Sequence, residues 1–221
     1  MTNYLLKKIL YKSLLKFFLK LHDFAYQKSS AFAIRYYGVH PKHKFEDFHQ
    51  FFIMNIPRGA EVLDIGCSRG ELTTDLASMA SKVVAYDLSE RAIETAKKDN
   101  FRNNIYYFVG EAVNDLPKEK FNIVVCSNIL EHLSNPVELL KEINKIAEKV
   151  LIRVPNARNN WTGLVKKDIG MDYFLDPQHY REYTLETLSK DLNEAGWQIE
   201  SAASTYEIRV VAIKMAKVDA R

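Results

Sequence analysis

Val62–Leu72, VLDIGCSRGEL, runs from a short apolar stretch through an acid into two glycines four residues apart. Val62–Ile65 reads as a buried strand, and Gly66 to Gly70 as a tight strand-to-helix turn whose backbone passes close to a bound group. What that group is follows from what the turn lacks. A dinucleotide fingerprint starting at Gly66 requires glycines at positions 68 and 71, where Ser68 and Glu71 stand, and a carboxylate at that helix start would repel a pyrophosphate. A phosphate-binding P-loop is excluded as well, because no Gly-Lys-Ser/Thr follows. The turn suits a nucleoside that carries no phosphate.

S-adenosylmethionine meets that description, with an adenosine and an amino-acid tail whose ammonium and sulfonium can face Asp64. Lys82–Tyr86, KVVAY, reads as a second strand ending in Asp87, 17 residues beyond Gly70, where a strand-end carboxylate can accept both ribose hydroxyls. Leu88 would then lie against the adenine, and Ser89 caps a helix over Glu90–Asn100. On these residues the chain resembles the class I S-adenosylmethionine-dependent methyltransferases, of the type 11/23 kind, whose first motif is an acid followed by GxGxG; Ser68 stands at the middle glycine. Gly110-Glu111-Ala112, after a third strand at Ile105–Val109, matches the family's third motif, in which an acid approaches the adenine amino group; Glu111 replaces the commoner Asp. Ser127–Leu133, SNILEHL, follows a fourth strand at Phe121–Cys126 and resembles the LEHL loop of small-molecule methyltransferases. The resemblance implies a cofactor-binding set of Asp64, Gly66, Ser68, Gly70, Asp87, Leu88, Glu111, Ala112 and Asn128.

Composition sets the frame. The chain has 221 residues, 47% of them hydrophobic, enough for one α/β domain with an appendage. A formal charge of +3, concentrated near the N-terminus, implies no general nucleic-acid surface. Two cysteines, Cys67 and Cys126, form neither a disulfide framework nor a zinc site, so a reducing cytoplasm is the expected compartment. No apolar run approaches the roughly 18 residues that span a bilayer.

Before the first strand, Tyr4–Leu21 is an amphipathic helix candidate. Lys8, Lys12, Lys16 and Lys20 repeat down one side, and Leu6, Leu10, Leu14, Phe17, Phe18 and Leu21 form a broad apolar face on the other. That face either packs on the protein itself or a second copy, or lies peripherally on an anionic membrane. Ala31–Ile56 is dense in histidine, base and aromatic, with a break at Gly38–Pro41 before a second helical tract at Phe45–Asn55. It reads either as a lid over the ligand, as the family resemblance suggests, or as a helix pair with solvated histidines. Residues 1–56 are thus an N-terminal helical extension, and 57–221 the domain proper.

After the fourth strand, Asn135-Pro136 starts a helix, Val137–Lys149, and Val150–Val154 is the fifth strand. Residues 156–181 are too long for a simple connection and read as a substrate-recognition insertion. Thr184 caps Leu185–Gly196, and Trp197–Ala203 with Tyr206–Met215 closes the chain as a hairpin. The expected fold is a Rossmann-like, doubly wound, mostly parallel seven-stranded sheet with an antiparallel C-terminal hairpin.

Methyl transfer to a hydroxyl requires the protein to align the acceptor, exclude water and remove a proton. His132 and His179 are the candidate bases, with His40 or His43 if the N-terminal segment closes over the site. Relatives that carry Glu-x-x-Glu-His in this loop bind a divalent metal, as in terminal RNA 2′-O-methylation and quinone O-methylation. Asn128 stands where their first acid would be, so no metal is expected and both of those acceptors are disfavoured. The expected acceptor is a hydroxyl on a small molecule, sugar or lipid-linked precursor. A sugar comes first, because a similar His-Pro-Lys-His lead-in accompanies cell-surface glycan methyltransferases. Two other readings stand beside it: a non-catalytic S-adenosylmethionine-binding scaffold, and a membrane-peripheral lipid methyltransferase.

Overall fold

The computed structural model describes residues 2–38, 41–45, 47–111, 113–174 and 176–216. His40 and Ala112 lie outside the described residues, as does the side chain of His43. The elements begin with α1 (Thr2–Tyr37), α2 (Pro41–Phe45), α3 (Phe48–Met54), β1 (Glu61–Ile65), α4 (Glu71–Leu76), β2 (Lys82–Asp87), α5 (Glu90–Asp99) and β3 (Ile105–Val109). They continue with β4 (Phe121–Ser127), a 3₁₀ turn (Leu130–His132), α6 (Pro136–Ile146), β5 (Ala147–Pro155), α7 (Trp161–Asp168), α8 (Leu185–Glu194), β6 (Trp197–Ser204) and β7 (Glu207–Lys214). Contacts divide the chain into two compact units, residues 1–48 with 160–175, and residues 49–159 with 176–221.

The larger unit is one seven-stranded sheet in the order β3-β2-β1-β4-β5-β7-β6. The pairs β1–β2, β2–β3, β1–β4 and β4–β5 are parallel, and β7 runs antiparallel to both β5 and β6. Six strands therefore point one way and β7 alone opposes them, which is the Rossmann-like sheet with its closing hairpin. The central strands are buried on both faces: Leu63, Ile65, Val124, Cys126, Val150 and Ile152 point to one, and Val62, Ile123, Val125 and Leu151 to the other. Leu139, Leu140 and Ile143 of α6 and Leu188 and Leu192 of α8 join them at helical spacing. The Trp197 indole N–H donates to the Leu140 carbonyl at 2.9 Å, so even this fully buried ring has its polar atom satisfied.

Local chemistry sets the helix ends. Ser89 accepts from the Ala92 N–H at 3.2 Å, and Pro136 occupies the first turn of α6, where a missing N–H costs nothing. Thr184 and Thr187 form a reciprocal capping box at the start of α8. The helix predicted to end at Lys149 instead stops at Ile146. Residues 147–149 favour a helix by composition, but Ala147 pairs with Phe121 and Lys149 with Ile213, and the ladder bonds prevail.

In the smaller unit, the helix expected over 4–21 continues unbroken to Tyr37. No glycine or proline interrupts it, and it ends at Gly38, whose φ of 72° and N–H bond to the Ile34 carbonyl at 2.8 Å make a left-handed cap. α1 packs against α7, where the Lys166 ammonium lies 2.6 Å from Asp23. The tract expected at Phe45–Asn55 is split between α2 and α3. His49 of α3 holds Asp75 at 2.5 Å, tying α3 to the end of α4 inside the larger unit.

Candidate active site

The chain passes from β1 outward to β3 and then returns to the other side of β1 as β4. This reversal makes the carboxyl ends of β1 and β4 a topological switch point, the place where open α/β sheets bind ligands. The glycine turn forms one side of it. Gly66 has φ 76° and Gly70 φ 84°, and the N–H groups of Gly66 and Cys67 both donate to the Tyr86 carbonyl. A Cβ on Gly66 would lie 1.9 Å from Cδ1 of Ile129, and one on Gly70 would lie 2.4 Å from the Tyr107 hydroxyl. Only glycine meets both the left-handed φ and the close approach at these positions. Ser68 is itself left-handed, φ 48°, so the middle position of the motif keeps the glycine conformation without the glycine.

Asp64 sits one residue before the end of β1, buried, and accepts from the Thr73 hydroxyl at 2.6 Å. Burial is the main reason its carboxyl is pushed up to about 6; Asp87 pushes the same way, and Thr73 and His49 oppose. Asp87 closes β2, and its two oxygens accept the N–H groups of Ser68 and Ser89, each at 2.8 Å. One lone pair on each oxygen stays available for a ligand hydroxyl. Leu88 is exposed beside it. Glu111 follows β3, exposed, its N–H bound to Asp115 and a carboxylate oxygen to the Asn114 amide.

The second side follows β4. Asn128 has φ 55° and donates its N–H to the Arg153 carbonyl at 2.8 Å, and its buried side-chain oxygen has no hydrogen-bond partner among the described residues. Glu131 is buried, and among the described residues neither carboxylate oxygen has a side-chain hydrogen-bond partner. Burial pushes its carboxyl up to about 8, with Glu182 and Glu207 adding repulsion and Arg153 countering it. The His132 and His179 rings meet edge to face with centroids 4.7 Å apart. The Tyr180 N–H donates to the Glu131 carbonyl at 2.9 Å and fastens the two segments together. One ligand atom from each of Glu131, His132 and His179 lies within 4.8 Å of the others, close enough to hold a cation.

The structure thus brings Asp64, Gly66, Ser68, Gly70, Asp87 and Leu88 to the glycine turn and β2 end, and His132 and His179 to each other beyond β4. Two participants were missed in the sequence. Glu182 holds His179 Nδ1 at 2.8 Å, for which the i,i+3 spacing was the available signal. Glu131 had a signal too, as the second acid of the Glu-x-x-Glu-His pattern that Asn128 interrupts, but its burial depends on surroundings distant in sequence. The opposite, amino end of the sheet carries an open hollow lined by Gly59, Glu61, Phe121, Asn122 and Ala147, away from all these loops.

The donor set fits a phosphate-free nucleoside with a cationic tail. Carboxylates at Asp64, Asp87 and Glu111 and the buried Asn128 amide oxygen offer acceptors for hydroxyls, amines and positive charge. Residues 37–202 match the family described as Methyltransferase domain. Among curated relatives, the ubiquinone biosynthesis O-methyltransferase of Xanthomonas axonopodis pv. citri is 29% identical over 164 residues, covering 66% of each chain. The mitochondrial enzyme of that name from Schizosaccharomyces pombe is 33% identical over 87 residues, 37% of this chain and 32% of its own. The chain thus spans just under two thirds, or less, of the length of these relatives. The fold matches magnesium protoporphyrin IX methyltransferase of Synechocystis PCC 6803, crystallised with bound S-adenosylhomocysteine, at a TM-score of 0.59 and 20% identity, over 75% of this chain and 78% of that one. It also matches the [4+2]-cyclase SpnF at 0.63 and 14%, over 77% and 81%, so the fold by itself does not specify the reaction. By the family match over 37–202 and the strand order of its sheet, the chain belongs to the methyltransferase-domain family and has the class I S-adenosylmethionine-dependent fold.

Proposed function

We propose that this chain is an S-adenosylmethionine-dependent O-methyltransferase acting on a hydroxyl of a small-molecule, sugar or lipid-linked acceptor. The observation that carries the reading is the meeting of His132 and His179 beyond β4, at the same sheet end as the glycine turn and the Asp87 carboxylate. The naming of the curated relatives as O-methyltransferases supports an oxygen acceptor.

When bound, S-adenosylmethionine supplies an electrophilic methyl group on a sulfonium. Asp64 and Asn128 serve its cationic tail, Asp87 its ribose, Leu88 and Glu111 its adenine, and the Gly66–Gly70 backbone admits it closely. His179, held through Nδ1 by Glu182, turns Nε2 to the acceptor proton in this reading; His132 packs against it and shapes the approach. Residues 156–181 recognise the acceptor in this reading.

Calorimetric titration with S-adenosylhomocysteine, beside NAD, tests the cofactor. Binding of the first alone, weakened by about 1.5–3 kcal/mol in Asp87→Ala, is the expected result; silence for both removes the reading. Transfer of labelled methyl groups to a panel of hydroxyl acceptors, sugars first, then tests the reaction.

The buried oxygens of Glu131, with no side-chain hydrogen-bond partner among the described residues, favour a second reading, in which Glu131, His132 and His179 hold a divalent cation that acidifies the acceptor hydroxyl. It departs from the metal-free expectation drawn from Asn128. Titration with Mg²⁺, Mn²⁺ and Zn²⁺ decides between the two, since only the cation reading predicts binding that Glu131→Gln abolishes.

A further inference from the structure

The two edges of the sheet, β3 and β6, are built differently. β6 carries a bulge between Ile199 and Ser201, with Glu200 in it, and both a bulge and a charge blunt an edge against pairing. β3, Ile105-Tyr106-Tyr107-Phe108-Val109, has no charge, proline, glycine or bulge, and every residue in it favours a strand. Tyr106, Phe108 and Val109 are 50%, 44% and 52% exposed. The connection to β4 turns inward instead of over them, with Val113 and Leu116 packed on the core and Glu119 paired with Lys82 of β2.

The ladder fixes which backbone groups face outward. The Val83 N–H donates to the Asn104 carbonyl at 2.8 Å and the Gly110 N–H to the Asp87 carbonyl at 3.1 Å, so the even-numbered residues direct their backbone groups to β2. Ile105, Tyr107 and Val109 turn theirs to the open edge. There the Ile105 N–H bonds the Arg102 carbonyl at 3.1 Å, and the Tyr107 N–H and carbonyl meet no partner among the described residues. Side chains alternate across the strand: Ile105 and Tyr107 are buried, the Tyr107 hydroxyl donating to the Asn100 carbonyl at 3.0 Å, and Phe108 stands on the opposite face, stacked on Tyr86 at 5.2 Å.

The strand that fits this edge is the same strand turned round. Read from either end, the segment is β-branched, aromatic, tyrosine, aromatic, β-branched. A two-fold axis at Tyr107 makes a hydrogen-bonded pair of Tyr107 and the partner's Tyr107, which satisfies the outward groups of both. Tyr106 then falls opposite the partner's Phe108, and Phe108 opposite the partner's Tyr106, as two aromatic cross-strand pairs on the exposed face. Charge selects the direction. Arg102 precedes the strand and Glu111 follows it, both exposed, so antiparallel apposition sets each arginine beside the partner's Glu111, whereas a parallel one sets like beside like.

We propose that β3 is a homodimer interface, at which two copies of this chain pair antiparallel about Tyr107 into one continuous sheet. The inference is independent of the methyl-transfer reading.

Sedimentation equilibrium of the full chain should give twice the chain mass; a parent that sediments as a monomer overturns the proposal. Tyr106→Lys with Phe108→Lys, and Tyr106→Glu with Phe108→Glu, each set like charges opposite one another across the axis and should weaken self-association by about a hundredfold or more. Mixed in equal amounts, the two double variants should sediment as a dimer again, because each lysine then faces a glutamate. Tyr106→Lys alone, which leaves the Phe108–Tyr86 stack in place, should keep the parent's far-UV circular dichroism and weaken association about tenfold, and it carries the test should the double variants not fold. Variants that dimerise as tightly as the parent place the interface elsewhere, and folded double variants whose mixture stays monomeric refute the register; either result overturns the proposal.

Discussion

His179 Nδ1 and a Glu182 oxygen lie 2.8 Å apart with both side chains buried, and the His179 ring meets that of His132, 47 residues earlier in the chain. The carboxylate fixes the tautomer, leaving the proton on Nδ1 and the lone pair on Nε2. With a hydroxyl acceptor that turns over, His179→Ala should lower kcat by about 10²–10⁴-fold. Glu182→Gln should lower it by about 10–100-fold, and the double variant little beyond His179→Ala. S-adenosylhomocysteine affinity should stay at the parent value in all three. Additive losses in the double variant would show the two side chains acting separately.

Asp64 is raised from an ordinary carboxylate value of 3.8 to about 6, chiefly by burial. Between those values the folded chain holds a proton that the unfolded chain has released, so stability falls as pH rises from about 4 to 6 and is level above. The contribution amounts to about 2–3 kcal/mol. Denaturant midpoints across this range should slope down less in Asp64→Asn than in the parent. Cofactor-analogue affinity should move the opposite way in the parent, rising with pH as the carboxylate ionises to meet an ammonium. Parallel stability profiles for parent and variant would refute the assignment.

Gly66 and Ile129 interlock at the switch point. Gly66→Ala adds a Cβ 1.9 Å from the Ile129 side chain at a φ of 76°, and should cost about 2–4 kcal/mol by chemical denaturation. Combining it with Ile129→Ala should recover the steric part and leave the left-handed backbone cost of about 1–2 kcal/mol. Full recovery would mean that the backbone conformation is unstrained.

Arg153 and Glu207 form a bidentate ion pair buried between β5 and β7. Arg153→Met strands Glu207 in an apolar layer and should cost about 3–5 kcal/mol. Arg153→Met with Glu207→Leu should cost much less, because the desolvation penalty leaves with both charges. Equilibrium unfolding of the two variants measures the difference, and equal costs would show that Arg209, 3.5 Å from Glu207, already compensates it.

What could be read from the residues alone was what depends on near neighbours in the chain. Apolar runs and the glycines at 66 and 70 located β1 and its turn, Ser89 and Thr184 marked helix starts, and the 17-residue spacing to Asp87 paired the turn with the end of β2. Each is a consequence of φ/ψ preference or of side-chain periodicity, and both are local. The same local rules misplaced the boundary at 146–147, where cross-strand bonds to Phe121 and Ile213 outweigh helix propensity. Only the tertiary structure inserted β7 between β5 and β6, so that β6 rather than β7 forms the sheet edge. It alone set His132 against His179 and left the Glu131 carboxylate without a side-chain hydrogen-bond partner among the described residues. Burial, like-charge crowding and ring contact are sums over residues tens of positions apart, and no stretch of sequence contains them until the sheet has closed.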